Sequence, residues 1–213
     1  MKALVVGAAW APDRDAFYAS LAAEHELVVA ADAAAERLVA LGVKPDLAVG
    51  DFDSAEPGAV ERLRAAGIRV RESPAAKDAT DLDLAADAAR AAGATSVTVT
   101  GAFRARIDHT LAAFGTLARL ADLDASAAEP DLRAWVLDGA ARPTLALSLT
   151  PGTLVSAFSM AGTATGVTLR GFRYPLEGAR LEPMSGLGVS NVADAPAQSA
   201  MVSAGTLLVL AID

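Results

Sequence analysis

The chain has 213 residues, a formal net charge of −8, 53% hydrophobic residues and only 5% aromatic residues. This length is more than one small domain needs and less than two full domains usually take. The negative charge and the scarcity of aromatic rings argue against nucleic acid as a partner, because phosphates would be repelled and bases would find few stacking surfaces. The chain has no cysteine and two histidines, which excludes disulfides, thiolate metal sites, cysteine nucleophiles and histidine-rich metal sites.

The apolar stretches near the two ends are short. Residues 3–6 have only the length of a strand, and residues 201–212 fall short of the roughly 20 residues that span a bilayer. We therefore expect a cytoplasmic, soluble protein with no membrane partner.

The first two thirds of the chain alternate short apolar runs with alanine-rich amphipathic stretches. This alternation is typical of successive βα units around a mostly parallel sheet. The predicted strands are residues 3–6, 27–30, 47–49, 68–70, 97–100 and 134–137. The predicted helices are residues 13–23, 33–41, 57–66, 81–92 and 109–120. We interpret the alanine-rich residues 124–131 as a loop, with a helix as the alternative.

The pattern changes after residue 137, where glycine and proline separate short runs rich in valine, leucine and threonine. Short strands at a spacing of about ten residues predict an antiparallel sandwich or barrel. The predicted fold class is therefore α/β: an N-terminal βα-repeat domain with a mostly parallel sheet over residues 1–140, and a C-terminal antiparallel β-sandwich over residues 141–213.

Charged residues occur in three loops of the first domain, where predicted strands end or the following helices begin. They are Asp51 and Asp53, then Lys77, Asp78 and Asp81, then Arg106, Asp108 and His109. In an open α/β sheet, ligands bind at the carboxyl ends of the strands. We therefore expect these loops to form one site.

Converging carboxylates need a cation, because two unit charges about 4 Å apart repel by about 4 kcal/mol at an effective dielectric of 20. Ligand sets made only of oxygen favour hard ions, and Mg²⁺ held by carboxylates and substrate phosphates is the usual arrangement in nucleotide chemistry. The pattern indicates phosphoryl or pyrophosphoryl transfer. Structural roles remain open for single residues: Asp81 can complement a helix N-terminus, Asp51 or Asp53 can form an Asx turn, and His109 can be structural.

Several segments resemble thiamine pyrophosphokinases in order and approximate spacing, and together they extend over nearly the whole chain. In the first domain they are residues 45–54 (PDLAVGDFDS), 77–81 (KDATD) and 106–111 (RIDHTL). In the second domain they are residues 171–178 (GFRYPLEG), 188–191 (GVSN) and 205–209 (GTLLV). Linked motifs in two domains are more specific than any single motif, so the chain is identified as a member of this family.

The resemblance implies an enzyme that transfers the pyrophosphoryl group of ATP to the hydroxyl of thiamine, giving thiamine diphosphate and AMP. It implies Mg²⁺ as the cofactor, a nucleotide-binding catalytic domain at residues 1–140, and a thiamine-binding and dimerisation domain at residues 141–213. It also implies a homodimer in which each active site uses the first domain of one subunit and the second domain of the other.

By the same resemblance, the metal is held, or the attacking hydroxyl oriented, by Asp51, Asp53, Asp81 and Asp108. The residues implied to bind ATP are Lys77, Asp78, Arg106 and His109, of which Arg106 is also catalytic. Thiamine would contact Tyr174, Ser190 and Asn191.

The sequence departs from the family pattern at three places. Asp32-Ala33-Ala34 stands where Asp-Gly-Gly is usual, Arg104-Ala105 stands where Gly-Gly is usual, and Ala113 replaces a common asparagine. Glycine in such loops allows positive φ or a close approach of the backbone to phosphate. Two alternatives follow: a pyrophosphokinase for another alcohol, or a non-catalytic homologue that binds thiamine or a nucleotide.

Overall fold

The computed structural model describes residues 1–74, 76, 78–104 and 106–212. Contacts within the chain divide it into two compact units, Met1–Thr116 and Leu117–Asp213. No helix in these described ranges has the length and apolar character needed to cross a membrane.

The elements follow in chain order. They are β1 (Lys2–Val6), α1 (Asp15–Ala23), β2 (Leu27–Ala31), α2 (Ala34–Ala40), β3 (Leu47–Gly50), α3 (Ala59–Ala65), β4 (Arg69–Glu72), α4 (Asp81–Ala91), β5 (Ser96–Thr100), α5 (Ile107–Arg119), β6 (Asp124–Glu129), β7 (Leu132–Asp138), β8 (Thr144–Leu147), β9 (Leu154–Ser159), β10 (Ala164–Arg170), β11 (Leu176–Leu181), a 3₁₀ turn (Gly186–Gly188), β12 (Asn191–Val192), β13 (Gln198–Met201) and β14 (Thr206–Ile212). The predicted strands and helices up to α5 are present, with ends shifted by at most two residues.

The first unit contains a parallel sheet with the strand order β5-β1-β2-β3-β4. Tyr18, Leu38 and Leu63 of the first three helices share a buried core with Leu4 and Val28 of the sheet. Helix α4 packs on β1, β2 and β3. Parallel strands that are covered by helices read as nearly continuous apolar runs, which is why the sequence indicated them clearly.

The second unit is an antiparallel sandwich. One sheet has the order β12-β9-β14-β7-β6 and the other has the order β11-β10-β13-β8. Val155 and Val209 of the first sheet lie in the same buried core as Leu147 and Leu169 of the second. The predicted fold class, a mostly parallel α/β region followed by an antiparallel sandwich, is confirmed.

The interpretation of residues 124–131 as a loop or a helix is wrong. Residues 124–129 form β6, which pairs antiparallel with β7 through a turn at residues 130 and 131. Ala125, Ala127 and Glu129 are buried in alternation along this strand. Alanine has a low intrinsic preference for strands, so cross-strand pairing and burial decide the conformation here. Strand β7 is antiparallel to β6 and to β14, unlike the strands of the first unit.

Candidate active site

The first unit has a cavity of about 530 Å³ at the carboxyl ends of its parallel strands. Because β5 and β2 lie on opposite sides of β1, the chain leaves β1 and β5 in different directions, and a crevice opens at this switch point. The titratable side chains that line the cavity are Asp32, Asp51, Asp53, Asp81, Arg106 and His109.

Two glycines bring the loops after β1 and β5 close together at the wall of this cavity. A Cβ atom on Gly7 would lie 2.6 Å from the carbonyl oxygen of Gly101, and Gly101 itself has a φ of +64°. A larger residue at either position would force the loops apart. The glycines therefore set the width of the crevice at the switch point.

Three carboxylates converge in the cavity. Asp32, Asp51 and Asp53 each offer an oxygen, and these atoms all lie within 4.8 Å of one another. The loop after β3 is held by a backbone N–H bond from Asp53 to Asp51 Oδ1 at 3.3 Å and by the Ser54 hydroxyl, which donates to Asp53 Oδ1 at 3.0 Å. The Asx turn that the sequence offered as an alternative for Asp51 is thus present in a residue that also lines the cavity.

Asp32 is the member of this group that sequence reasoning missed. It directly follows β2, its φ is +51°, and its backbone N–H donates to the carbonyl of Val49 at 2.9 Å. Its Oδ1 atom is buried without a hydrogen-bond partner. Burial raises the pKa of the Asp32 carboxyl above its ordinary value of 3.8, hydrogen bonds from Ser54 and the Ala33 backbone oppose the rise, and the charges of Asp81 and Asp51 add to it.

A hard divalent cation fits this carboxylate group. The buried Oδ1 atom of Asp32 has an unused acceptor site, and the neighbouring ligand atoms are carboxylate oxygens. Mg²⁺ is bound through such oxygens and keeps its remaining positions for water or substrate phosphates. The donor set therefore has the composition of a magnesium site.

The replacement of glycine by alanine after Asp32 causes no backbone strain. Ala33 has a φ of −58° and a ψ of −15°, which are ordinary helical values. Positive φ falls on Asp32 instead. Ala34, the first residue of α2, is buried, and Ala113 lines the cavity with only 1% of its surface exposed.

The beginning of α4 forms another part of the wall. Thr80, Asp81 and Leu82 line the cavity. Thr80 caps the helix, because its hydroxyl accepts from the Asp83 N–H at 3.1 Å while Asp83 Oδ2 accepts from the Thr80 N–H at 3.0 Å. The capping box indicated by the sequence thus presents Asp81 to the cavity.

Of the predicted nucleotide-binding residues, Arg106 and His109 line the cavity at the start of α5. Asp108 is not among the residues that line the cavity. It accepts two bonds from the Arg106 guanidinium, at 3.1 and 2.6 Å, and this neighbour lowers the pKa of the exposed Asp108 carboxyl. Asp78 is exposed outside the cavity lining, and Lys77 lies outside the described residues.

The predicted thiamine-binding residues belong to the second unit. Tyr174 is 61% exposed, whereas Asn191 is only 4% exposed. Asn191 Oδ1 accepts from the Tyr174 N–H at 3.0 Å, and its Nδ2 donates to the Tyr174 carbonyl at 2.7 Å. Ser190 is exposed at a φ of +59°, and its N–H donates to Ser156 Oγ at 3.2 Å. The Asn191 amide therefore fastens the backbone that carries the exposed Tyr174 ring.

Comparison with known proteins matches both parts of the chain to models of one enzyme class. Residues 18–127 match the model described as thiamin pyrophosphokinase, catalytic domain. Residues 144–207 match the model described as thiamin pyrophosphokinase, vitamin B1 binding domain. These two descriptions define a transferase with an ATP-using catalytic part and a vitamin-binding part.

The chain belongs to the thiamin pyrophosphokinase family. The activity of this class is the transfer of pyrophosphate from ATP to the hydroxyl of thiamine, which gives thiamine diphosphate and AMP. The resemblance found in the sequence motifs is thereby confirmed.

Solved structures share the fold of this chain. The thiamine pyrophosphokinase of Bacillus subtilis has a TM-score of 0.83 and 23% identity, with coverage of 100% of this chain and 99% of that one. The enzyme of Geobacillus thermodenitrificans has a TM-score of 0.81 and 26% identity, with coverage of 100% and 98%. The Candida albicans enzyme, at 14% identity and a TM-score of 0.76, covers 100% and 90%. Comparison with curated protein sequences gives no match.

Proposed function

We propose that pyrophosphoryl transfer takes place in the cavity of the first unit, with Mg²⁺ held by Asp32, Asp51 and Asp53. The observation that carries this proposal is the convergence of three carboxylates within 4.8 Å, one of them with a buried oxygen that has no partner. When bound, Mg²⁺ would neutralise charge on the phosphate oxygens of ATP. Asp32 enters the ligand set in addition to the residues implied by the sequence motifs.

The remaining residues of the cavity handle the two substrates. Asp81 orients the thiamine hydroxyl and takes its proton as the oxygen attacks the β-phosphorus. A bond forms between that oxygen and the β-phosphorus, and the bond from the β-phosphorus to the bridging oxygen of AMP breaks. Arg106 and His109, which line the same cavity, contact phosphates. Positioning and charge stabilisation are the main demands of this chemistry.

The other motif residues take outer roles in the proposal. Asp108 holds the Arg106 guanidinium through two hydrogen bonds. It is not a member of the carboxylate group formed by Asp32, Asp51 and Asp53. The proposal also includes Asp108 as a ligand of a second Mg²⁺ ion. Lys77 and Asp78 are proposed to meet ATP from the loop before α4.

Thiamine binding is assigned to the second unit, with Tyr174 as the exposed contact and Ser190 beside it. The match of residues 144–207 to a vitamin B1 binding model supports this assignment, because it includes Tyr174, Ser190 and Asn191. We propose that residues 1–140 serve nucleotide binding and catalysis and residues 141–213 serve thiamine binding and dimerisation. In the proposed homodimer, each active site uses the first domain of one subunit and the second domain of its partner.

The direct test is an assay of AMP release from ATP and thiamine, with and without Mg²⁺, beside a panel of other primary alcohols. We expect Mg²⁺-dependent release with thiamine as the best acceptor. A better acceptor in the panel would show a pyrophosphokinase for another alcohol. Binding of thiamine and ATP without AMP release would show a non-catalytic homologue. A cytoplasmic location, where ATP is available, belongs to the proposal and is tested by cell fractionation.

A further inference from the structure

Asp83 follows Leu82, the last residue of this part of α4 that lines the cavity. Both carboxylate oxygens of Asp83 accept hydrogen bonds. Oδ2 accepts from the Thr80 N–H at 3.0 Å, at the start of α4. Oδ1 accepts from the hydroxyl of Thr116, on α5, at 2.5 Å. One side chain thus joins two helices through residues that are 33 positions apart in the sequence.

Both joined helices contribute to the wall of the proposed active site. Helix α4 presents Thr80 and Asp81 to the cavity, and α5 presents His109 and Ala113. Thr116 lies one helical turn beyond the last of these residues on α5. The bond from Thr116 to Asp83 therefore fixes the distance between two walls of the cavity.

The Thr116 hydroxyl is placed to donate to Asp83 in preference to its other neighbour. Thr116 is completely buried, and Asp83 is half-buried. The threonine hydroxyl has one proton, and its oxygen is 2.5 Å from the Asp83 carboxylate but 3.1 Å from the carbonyl of Ala112. An ionised acceptor makes a shorter and stronger bond than a neutral carbonyl. The carboxylate is thus the preferred acceptor.

We propose that Asp83 is a positioning residue, which holds the first turn of α4 against α5 through Thr116 so that Asp81 faces the thiamine hydroxyl and His109 faces the phosphates of ATP at a fixed separation. This inference rests on the proposed function of the cavity. It assigns Asp83 a role beyond a helix cap, because a cap alone would need only the bonds to Thr80.

The test compares Asp83→Ala, Thr116→Val, their double variant and Thr116→Ser, with Asp87→Asn as the matched control. Asp87 is an exposed aspartate on the same helix. For Asp83→Ala we expect kcat/KM for MgATP to fall about tenfold, the scale of a modest misplacement of reacting groups, with the KM for thiamine unchanged. Thr116→Val should lose activity in the same way, whereas Thr116→Ser, which keeps the hydroxyl, should restore it.

The double variant should be little worse than Asp83→Ala, because both changes remove the same bond. The rise in melting temperature that MgATP gives should be smaller in Asp83→Ala and Thr116→Val than in Asp87→Asn, because His109 loses its fixed position toward the phosphates. If Asp83→Ala does not fold, the comparison of Thr116→Val with Thr116→Ser still tests the inference, because valine keeps the shape of threonine without its hydroxyl.

Two results would overturn the inference. One is a lower melting temperature with unchanged kcat/KM for MgATP in folded Asp83→Ala and Thr116→Val, which would leave Asp83 a structural cap. The other is a double variant whose loss equals the product of the two single losses. A wild-type protein without activity and without a response to Mg²⁺ would instead reject the proposed function of the cavity.

Discussion

Asp32 shows the conflict between stability and function at the scale of one residue. Its Oδ1 atom is buried without a partner, and the neighbouring carboxylates of Asp51 and Asp81 raise its pKa further. A group of this kind opposes folding when it is charged and no cation is bound. Its retention in the cavity is explained by the cation that we propose it binds.

We predict that Asp32→Asn raises the melting temperature in the presence of a chelator at neutral pH. The folded-state pKa of Asp32 lies above the unfolded value of 3.8, so its contribution to stability is greatest at low pH and is lost as the pH rises through the folded-state pKa. The advantage of the variant should therefore shrink as the pH is lowered. Differential scanning calorimetry measures both effects, and Mg²⁺ should stabilise the wild type more than the variant.

The opposite result would contradict the role of Asp32. If Asp32→Asn is less stable than the wild type in chelator, or gains as much from Mg²⁺ as the wild type, the carboxylate is not the strained metal ligand described above. Asp87→Asn, an exposed change of the same kind, serves as the control.

We predict that Asp51→Asn and Asp53→Asn each lower turnover by about a hundredfold or more while the fold is kept, the scale expected on removal of a charge-stabilising group. An amide cannot supply the negative charge that holds Mg²⁺. Steady-state kinetics over a range of Mg²⁺ concentrations, with circular dichroism as the check of folding, measures the effect. Near-normal activity and unchanged Mg²⁺ dependence in both variants would reject the metal assignment.

At the scale of elements, the segment before β12 is fixed along the edge of β9. The Met184 N–H donates to the carbonyl of Ser159, and the Ser190 N–H donates to Ser156 Oγ. Asn191 pairs with Val155 and bonds the backbone of Tyr174. These bonds form a rigid support for an exposed aromatic ring, and such preorganisation lowers the entropy lost on ligand binding.

We predict that Asn191→Ala raises the KM for thiamine far more than the KM for ATP, because the Tyr174 backbone loses two hydrogen bonds and its ring loses its fixed position. Tyr174→Ala should give the same pattern. Steady-state kinetics with each substrate varied in turn provides the measurement. Equal changes in both KM values would indicate a general folding defect instead.

At the scale of the whole molecule, the second unit leaves several apolar side chains in contact with water. Leu154, Met184 and Leu187 are each more than half exposed, and Val189 is 41% exposed. Met184, Leu187 and Val189 lie in one short segment, residues 184–189, and exposed apolar residues grouped in this way are typical of surfaces that meet another protein. They support the proposed homodimer, in which a second copy of the chain covers them.

We predict that mixing Asp51→Asn chains with Asn191→Ala chains restores activity. Each heterodimer would contain one site with both lesions and one site with neither, so a statistical mixture should regain about a quarter of the normal activity. The chains are mixed after reversible dissociation and assayed at a thiamine concentration at which each parent is inactive. A monomer by light scattering, or no recovery after verified exchange, would reject the shared active site.

Elements and motifs that depend on local chemistry can be predicted from the order of the residues. Buried parallel strands such as β2 and β3 read as apolar runs, and the Thr80 capping box follows from residues three apart. The linked segments around Asp51, Asp81 and Asp108 were enough to predict the family. All of these signals lie within a few neighbouring residues, so they can be recognised in the sequence without knowledge of the fold.

The contacts between side chains from distant parts of the chain depend on how the chain packs. Asp32 reaches Asp51 because β2 and β3 pair in parallel, with Ala31 beside Val49, and no sequence spacing states that register. Residues 124–129 form a strand because their backbone pairs with β7. Alanine by itself has a low preference for strands, so the sequence did not indicate one here. The Thr116 hydroxyl finds Asp83 through the packing of two helices. Such contacts depend on positions far apart in the chain, and it is packing that sets their distances.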